Sequence, residues 1–314
     1  MILLLTCFLY FLKYEYWWLF ALAGVGASQT LILTQWPAAK YGTIPTLIIL
    51  FVAVVSIADH FFEKSNSRIR DRMTTFIPAD SVQLVTEEDI KNLPDPVLRW
   101  LRLSGAVGKP YIQSVEMKQK YEIKLREDQT KWFSARATQY STIQPPAFLW
   151  SLEMRVLLFL PVKGRDSFQG GEGSMMFKMF SLVPIARATP DTEINQSALQ
   201  RFLGEIAWYP SAALCPEISW EPVDDVSAKA TMEFQGTKGS GVFHFDPLGN
   251  LKKFTALRYM DAGDKFVLRE WQVEVIDTKE FDGIIIPSKC RATWKMDDGD
   301  WNWANFEVLE AKYH

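Results

Sequence analysis

The feature that most constrains the fold is a change of the hydrophobic period to two after Tyr111. From Val115 to Leu125, apolar side chains alternate with lysines and glutamates, and the alternation returns from Phe148 to Leu160. Successive side chains of an extended strand point to opposite faces, so this pattern gives each strand one dry face and one wet face. The pattern therefore predicts long antiparallel strands.

Shorter strands and turn signals repeat at close spacing in the second half of the chain. Turns rich in aspartate and glycine separate the predicted strands, which cover 228–234, 241–245, 251–259, 266–276, 283–287, 289–295 and 302–311. Antiparallel strands at this spacing are typical of a meander. This region therefore predicts an open or partly closed barrel.

One amphipathic helix interrupts the strands. Ser197 and Gln200 form an S-x-x-Q capping box, and Pro210 disfavours helical geometry at the residue before it, so the predicted helix covers 198–209. Its apolar stripe consists of Leu199, Phe202, Leu203 and Ile206. A helix with one apolar face needs an apolar surface to cover it. We therefore expect an α+β fold, in which a mostly antiparallel, curved half-barrel sheet wraps this inserted helix.

The first 62 residues are the most apolar part of the chain. Two runs, at about 16–34 and 43–60, are each long enough to cross the hydrocarbon core of a bilayer. A possible short span covers 1–12 and ends before Lys13. A cleaved signal peptide is disfavoured because no basic segment precedes the apolar run. The sequence predicts an integral membrane protein with its membrane helices in 1–62.

Charges in the short loops predict which side of the membrane holds the rest of the chain. Lys13 lies on the same side as the basic residues that follow the second span, whereas Lys40 stands alone on the other side. The positive-inside rule then favours a cytoplasmic soluble domain. Residues 63–110 are predicted to be a basic linker and a helical bridge with helix starts at Thr86 and Asp95. The antiparallel β domain follows over 111–314.

Composition excludes several classes of function. The net charge is −3, with basic and acidic residues mixed throughout, so no nucleic-acid partner is expected. The three histidines have no ligand-like spacing, so no metal site is expected. The glycines of 170–173 match no nucleotide-binding fingerprint, so no cofactor is expected. Cys215 and Cys290 are either a disulfide or two buried thiols.

Two sets of side chains are candidates for function. Aromatic residues near the predicted helix combine with a few polar groups, as in a ligand cleft, although each is also compatible with a place in the core. The candidate ligand-binding residues are Phe148, Trp150, Arg165, Glu205, Trp208, Tyr209 and Trp220, with Arg165 and Glu205 as the polar ends. In the alternative, a hydrolase, Asp166 from a predicted glycine-rich loop over 163–173 acts with Glu205 as acid and base.

Four segments carry a resemblance to a known family, namely LPDPVLRWLRLSGAVGKP, QYSTIQPPAFLW, GRDSFQGGEGSM and LGEIAWYPSAALCPEISWEPVDD. Over about residues 93–313 the chain resembles a bacterial family of uncharacterised proteins, the DUF6544 type. In shape it resembles the LolA-like lipoprotein carriers, which are half-open barrels with a helical lid over a greasy cavity. The segment TQWPAAKYGTIPTLIIL resembles the last helices of a DoxX-like membrane bundle.

The carrier-like resemblance implies binding of a lipid or another lipophile. Such carriers work outside the cytoplasm, whereas the loop charges favour the cytoplasmic side, and both alternatives stay open. We therefore expect a membrane-anchored, non-enzymatic binding domain whose partners are the membrane and a membrane lipid or lipophilic small molecule. A hydrolase is the first alternative, and a protein-interaction scaffold with an unknown protein partner is the second.

Overall fold

The computed structural model describes residues 2–74, 83–157, 160–263 and 265–314. Its N-terminal helices are α1 (Ile2–Phe11), α2 (Trp17–Thr34), α3 (Trp36–Ala39) and α4 (Thr43–Thr74), with a 3-10 turn at Lys40–Gly42. By length and composition, Trp17–Thr34 and Trp36–Thr74 can each cross a membrane. The hydroxyls of Ser28 and Thr46, 3.4 Å apart, join α2 to α4.

Helix α4 continues well beyond residue 60, where the predicted span ends. Near its end, Ile69 and Met73 pack against Tyr140 and Leu149 of the sheet. The basic segment after the second apolar run is therefore helical through Thr74 and contacts the sheet directly.

Two short helices precede the sheet, α5 (Glu87–Ile90) and α6 (Asp95–Leu103). The Thr86 hydroxyl accepts a hydrogen bond from the Asp89 backbone N–H, and the Asp89 carboxylate accepts one from the Thr86 N–H at 2.7 Å. This reciprocal cap satisfies two free donors at the helix start. The predicted helix starts at Thr86 and Asp95 are confirmed, and residues 75–82 of the predicted bridge lie outside the described residues.

Thirteen strands form one antiparallel sheet within the described residues. The first six strands are β1 (Ser114–Ile123), β2 (Phe133–Thr142), β3 (Ala147–Val156), β4 (Leu160–Gln169), β5 (Glu172–Met179) and β6 (Val183–Ala188). The others are β7 (Ile218–Asp224), β8 (Ser227–Phe234), β9 (Thr237–Phe245), β10 (Leu251–Asp261), β11 (Phe266–Phe281), β12 (Ile284–Met296) and β13 (Gly299–Tyr313). The sheet order is β6-β5-β4-β3-β2-β1-β13-β12-β11-β10-β9-β8-β7. Pairing of β1 with β13 therefore joins two consecutive meanders.

The inserted helix α7 (Thr192–Glu205) lies inside the curve of the sheet and contacts β4, β5, β8, β9 and β10. Two 3-10 turns follow it, Ile206–Trp208 and Pro210–Leu214. The predicted α+β fold, with apolar N-terminal helices and a curved antiparallel sheet around an inserted helix, is confirmed.

The predicted start of this helix is wrong. Helix α7 begins at Thr192, because the Asp191 carboxylate caps it by accepting a hydrogen bond from a backbone N–H of the first turn at 2.7 Å. Ser197 and Gln200 instead donate hydrogen bonds to backbone carbonyls of β10. A local capping pattern was thus overridden by contacts with a distant strand, and the α-helix also ends earlier than predicted, at Glu205.

Two further predictions on the strands need correction, and one strand was missed. Residues 163–173 are not a loop. They form most of β4, the start of β5 and the hairpin turn between them at Gly170 and Gly171, whose φ angles are +62° and +85°. The predicted strands 283–287 and 289–295 form one strand, β12, with irregular pairing near its middle. Strand β7 was not predicted.

The sheet has an inner face towards α7 and an outer face towards the second part of α4. On the outer face, the Lys163 ammonium lies 2.9 Å from Asp59, 2.8 Å from Glu63 and 2.9 Å from Glu153. Burial opposes this charge, but the three carboxylates outweigh burial and raise the pKa of Lys163. Arg165 donates hydrogen bonds to two further side chains of α4. These contacts attach the sheet to the helix that leads into the apolar segment.

Candidate ligand-binding cavity

A cavity of about 340 Å³ lies between α7 and the inner face of β10, β11, β12 and β13. Its uncharged lining consists of Tyr121, Gly204, Ala207, Trp208, Leu251, Phe254, Tyr259, Met260, Trp271, Val273, Val275, Pro287, Cys290, Ala292, Trp294, Trp301, Trp303 and Phe306. Its charged lining consists of Asp166, Arg201, Glu205, Arg258 and Asp261. The cavity is therefore mostly apolar, with charged groups concentrated on the side of α7.

Three tryptophans form a row across the cavity wall. In the strand register, Trp271 pairs with Trp294, and Trp294 pairs with Trp301. Directly paired residues on one face of a sheet lie side by side, and the Trp271 and Trp294 ring centroids are 6.5 Å apart. Trp303 follows two residues after Trp301 and lines the same cavity. The row gives the cavity a broad, rigid apolar wall.

Trp208 closes the buried end of the cavity. Its indole nitrogen donates to the Pro287 carbonyl at 3.1 Å, and the Tyr313 hydroxyl donates to the Trp208 carbonyl at 2.9 Å. Both bonds hold the turn after α7 against the sheet. At the other end Asp261 is exposed and Trp301 is partly exposed, so the cavity opens beside the β10–β11 and β12–β13 hairpins.

A charge cluster forms the polar side of the cavity. The Arg201 guanidinium donates to Glu205 Oε1 at 2.7 Å and to Asp166 Oδ2 at 2.5 Å, and Gln139 donates to Glu205 Oε2 at 2.6 Å. Burial opposes the charge of Arg201, but Glu205 and Asp166 outweigh it and raise the pKa of the guanidinium. The side chains of the cluster are therefore hydrogen-bonded to one another.

Arg258 differs from Arg201 in having no ion-pair partner among the described residues. One of its terminal nitrogens donates to the Ser197 carbonyl at 2.9 Å, and its guanidinium lies 4.2 Å from the Trp271 ring centroid. Burial lowers the pKa of Arg258, and the nearby charge of Arg201 lowers it further. Arg258 is therefore a cation held against the aromatic wall without a matching carboxylate.

Three of the predicted site residues line this cavity, namely Asp166, Glu205 and Trp208. Phe148 and Trp150 lie behind the charge cluster, with ring centroids 4.7 Å and 5.0 Å from the Arg201 guanidinium. These two aromatic rings support Arg201 rather than facing the open space.

Three other predicted residues lie away from the cavity. Tyr209 is fully buried in the core. Trp220 donates to the Ala213 carbonyl at 2.9 Å. Arg165 is on the outer face and bonds to α4, so it is not a polar end of this cavity. Successive residues of a strand alternate between faces, so Arg165 and Asp166 cannot both point inward.

Sequence reasoning missed Arg201, Arg258 and the tryptophan row. A signal for two of the tryptophans was available, because Trp301 immediately precedes the predicted strand 302–311 and Trp303 follows two residues later, so extended backbone through both places them on one face. The pairing of Trp271 with Trp294 requires the strand register, which the sequence pattern does not fix.

Other chemistry near the cavity is limited. Within the described ranges, no group of three or more His, Cys, Asp or Glu side chains is arranged to hold a metal ion. Cys215 and Cys290 are separate buried thiols, which decides the alternative that the sequence left open.

Comparison with known proteins adds a family and a set of similar shapes. A family model described as "Family of unknown function (DUF6544)" matches residues 83–306. No curated protein matches the chain. The resemblance expected from the sequence is therefore confirmed at the level of the family.

Solved structures of three proteins share part of this shape. A DUF1329 family protein from Desulfovibrio piger ATCC 29098 has a TM-score of 0.39 and 13% identity, over 74% of this chain and 94% of its own. A LolA superfamily protein from Nitrosomonas europaea has a TM-score of 0.36 and 10% identity, over 64% and 86%. A β-barrel-like DUF1849 protein from Brucella abortus has a TM-score of 0.25 and 9% identity, over 65% and 98%. All three TM-scores are below 0.5, so these similarities carry no argument about function, which has to be inferred from the cavity.

Proposed function

The chain belongs to the DUF6544 family, whose description assigns no activity, and from its geometry we propose that it is a membrane-anchored binding domain for a lipid or another lipophilic ligand. The observation that carries this proposal is the open, tryptophan-lined cavity beside α7. Ligand cavities commonly measure about 300–1,000 Å³ and are lined by apolar and aromatic side chains with a few placed polar groups. At about 340 Å³ this cavity suits one hydrocarbon chain or a compact lipophile.

The N-terminal helices supply the proposed anchor. Helix α2 and the first part of α4 have the length and composition of spans, and many of their apolar side chains are exposed, including Leu31, Leu33, Leu47 and Phe51. An exposed apolar helix surface of this extent is unfavourable in water, and two helices long enough to cross a bilayer would bury it in lipid.

The turn between β5 and β6 supports a position of the sheet close to the bilayer. The Phe180 ring centroid lies 5.5 Å from that of Phe51, which belongs to the apolar part of α4. Leu182, Val183 and Ile185 are exposed beside it. Apolar side chains next to a span enter the interfacial region of a membrane. In this proposal the tip of the hairpin enters the lipid beside α4.

Native mass spectrometry of the full chain in a non-ionic detergent tests ligand binding. We expect a bound lipophile, or uptake of added dodecanoate, that Ala292→Phe removes because the new ring fills the cavity. Arg291→Phe is the matched control, since the neighbouring side chain is exposed on the outer face. Adducts that persist equally in both variants would refute binding in this cavity.

A nitroxide label tests the membrane position. In the full chain carrying Leu182→Cys and Cys7→Ser, reconstituted in phosphatidylcholine vesicles, the label should be more accessible to oxygen than to a water-soluble nickel chelate. A label attached through Asp128→Cys, on an exposed turn of β1 and β2, serves as the comparison. Equal nickel accessibility at both sites would contradict the proposed contact.

The hydrolase remains the second candidate because Asp166 and Glu205 both line the cavity. Arg201 lies between these carboxylates and engages both, so a substrate would have to displace an internal ion pair. If this protein is a hydrolase, Asp166→Asn should abolish ester hydrolysis in an activity screen while ligand uptake persists. The other alternative, a protein-interaction scaffold, does not account for an open cavity beside α7.

A further inference from the structure

We propose that the cavity takes a single-chain amphiphile with an anionic oxygen head group, with the head beside Arg258 and the chain along the tryptophan row. This inference rests on the proposed function and specifies its ligand class.

The first argument comes from hydrogen-bond donors. Among the described residues that line the cavity, four buried side-chain nitrogens have no hydrogen-bond partner, namely Arg258 Nε and the indole nitrogens of Trp271, Trp301 and Trp303. Each of these atoms can only donate. Buried donors without acceptors are destabilising, and clustering of four around one cavity indicates an occupant that brings acceptors.

The second argument comes from the acceptors already present. Both oxygens of Glu205 accept hydrogen bonds from Gln139 and Arg201, and Asp166 Oδ2 accepts from Arg201. The exposed Asp261 carboxylate accepts from the backbone of its own turn. The carboxylates of the lining are thus committed to other donors, so an ammonium head group would find few free acceptors there.

The third argument comes from charge. Arg201 has two carboxylate partners, whereas Arg258 has none among the described residues. Burial and the charge of Arg201 lower the pKa of Arg258, and the more distant Asp166 and Glu205 offset this only in part. A carboxylate or phosphate forms charge-assisted hydrogen bonds with a guanidinium fork. An anion beside Arg258 would therefore supply both the missing charge and the missing acceptors.

The position of Arg258 sets the direction of the ligand. Arg258 is partly exposed and is followed in β10 by Asp261 at the open end, whereas Trp208 and Cys290 are buried at the other end. A head at Arg258 and a tail directed towards Trp208 place the polar part near water and the chain in the apolar interior. The cavity volume favours one chain over two.

Binding of four dodecyl probes to the full chain in phosphatidylcholine nanodiscs tests this inference. The probes are dodecanoate, dodecyl phosphate, dodecan-1-ol and dodecyltrimethylammonium. For each probe, binding to the cavity is defined as the fraction of its total binding that is lost in Ala292→Phe. We expect at least one anion to bind about 10-fold more tightly than the alcohol, and the cation to bind most weakly. The ratio of carboxylate to phosphate then identifies the head group.

Variants assign the preference to one residue. Arg258→Met should reduce anion binding by about 10-fold and change dodecan-1-ol binding by less than about 3-fold. Arg291→Met removes an exposed arginine from the outer face and should leave both affinities unchanged. Arg258→Lys, which keeps the charge, should retain part of the preference if the methionine variant does not fold.

The outcomes separate the two proposals. Equal binding of anion and alcohol to the unmodified protein would overturn the head-group inference and leave the lipophile cavity in place. Preferential binding of the cation would also overturn it. Absence of cavity binding for all four probes would overturn the proposed function itself.

Discussion

Arg165 and Asp166 are neighbours in β4, yet they serve opposite faces of the sheet. On the outer face, Arg165 donates a hydrogen bond to Asn66 of α4 at 3.0 Å. On the inner face, Asp166 accepts one from Arg201 of α7 at 2.5 Å. One strand thus attaches the sheet to the helix of the apolar segment and also supplies the wall of the cavity.

Exposure is what distinguishes the charges on the two faces. On the outer face, the Lys163 side chain is 21% exposed and its carboxylate partners are 40–65% exposed. On the inner face, Glu205 is 9% exposed. Water screens exposed ion pairs strongly, whereas a buried charge that loses its partner is costly. Similar residues therefore differ in their effect on stability according to the face on which they lie.

The largest expected effect is on the inner face. Arg201→Met leaves the buried Glu205 and the partly buried Asp166 without their cation. Breaking a buried pair from one side commonly costs about 3–5 kcal/mol. Denaturant unfolding of the full chain in detergent, followed by circular dichroism, measures the loss. Adding Asp166→Asn and Glu205→Gln to the same chain should restore most of it. If Arg201→Met lowered the free energy of unfolding no more than the outer-face variant Lys163→Met, the proposed difference between the two faces would be wrong.

Packing between α7 and the sheet gives the second effect. A Cβ at Gly241 would overlap the ring of Phe254, which also touches Gly204 of α7. Gly241→Ala should therefore cost about 1–3 kcal/mol by overpacking. It should also reduce ligand uptake, because Phe254 lines the cavity. The double variant Gly241→Ala, Phe254→Leu removes the overlap with the ring but leaves the methyl group 2.9 Å from the Thr255 carbonyl oxygen, so it should recover part of the stability. No recovery at all would argue against the ring contact.

The outer-face ion pairs should have a smaller effect. Lys163→Met should lower the free energy of unfolding by no more than about 1 kcal/mol, because solvent screens its partners. The raised pKa of Lys163 means that its contribution is present below the pKa of the unfolded lysine, about 10.4, and is lost as the pH rises through the folded value. The difference between variant and parent should therefore stay constant from about pH 6 to about pH 9, which lies below the ordinary lysine pKa of about 10.4.

Hydrogen exchange tests whether these contacts hold α4 to the sheet. Combining Lys163→Met with Arg165→Met should increase exchange in the second part of α4 while exchange in α7 stays unchanged. An equal increase in both helices would show that the faces are not independent.

The smallest effect is expected for Arg291→Met. Arg291 is 48% exposed on the outer face of β12, 3.7 Å from Glu274, and surface substitutions of this kind usually change stability by less than about 0.5 kcal/mol. The same denaturant unfolding experiment measures its effect. If Arg291→Met lowered the free energy of unfolding nearly as much as Arg201→Met, the exposure of a charged side chain would not predict its contribution to stability.

Much of the fold could be predicted from local pattern. Alternation identified β1 and β3, and the acidic cap after Thr86 identified α5, because each signal lies within a few adjacent residues. The start of α7 was missed because Ser197 and Gln200 hydrogen-bond to β10. Those partners are distant in sequence, so no local capping rule includes them.

The candidate site was predicted less well than the fold. Glu205 and Trp208, which lie at and just after the end of the inserted helix, do line the cavity. Arg258 and the tryptophan row were missed because the assembled strand register brings β10, β11, β12 and β13 to one cavity. A shift of one residue in that register would turn these side chains to the other face.

The sequence by itself determined the apolar N-terminal helices, the alternating strands and the insertion of one helix between two meanders. These features follow from periodicity and from interactions within a few residues. Only the tertiary structure decided that the charges of Arg201 and Arg258 meet at one cavity, and that Arg165 hydrogen-bonds to α4. The physical reason is that pairing of β1 with β13 and the curvature of the sheet bring together residues that are far apart along the chain.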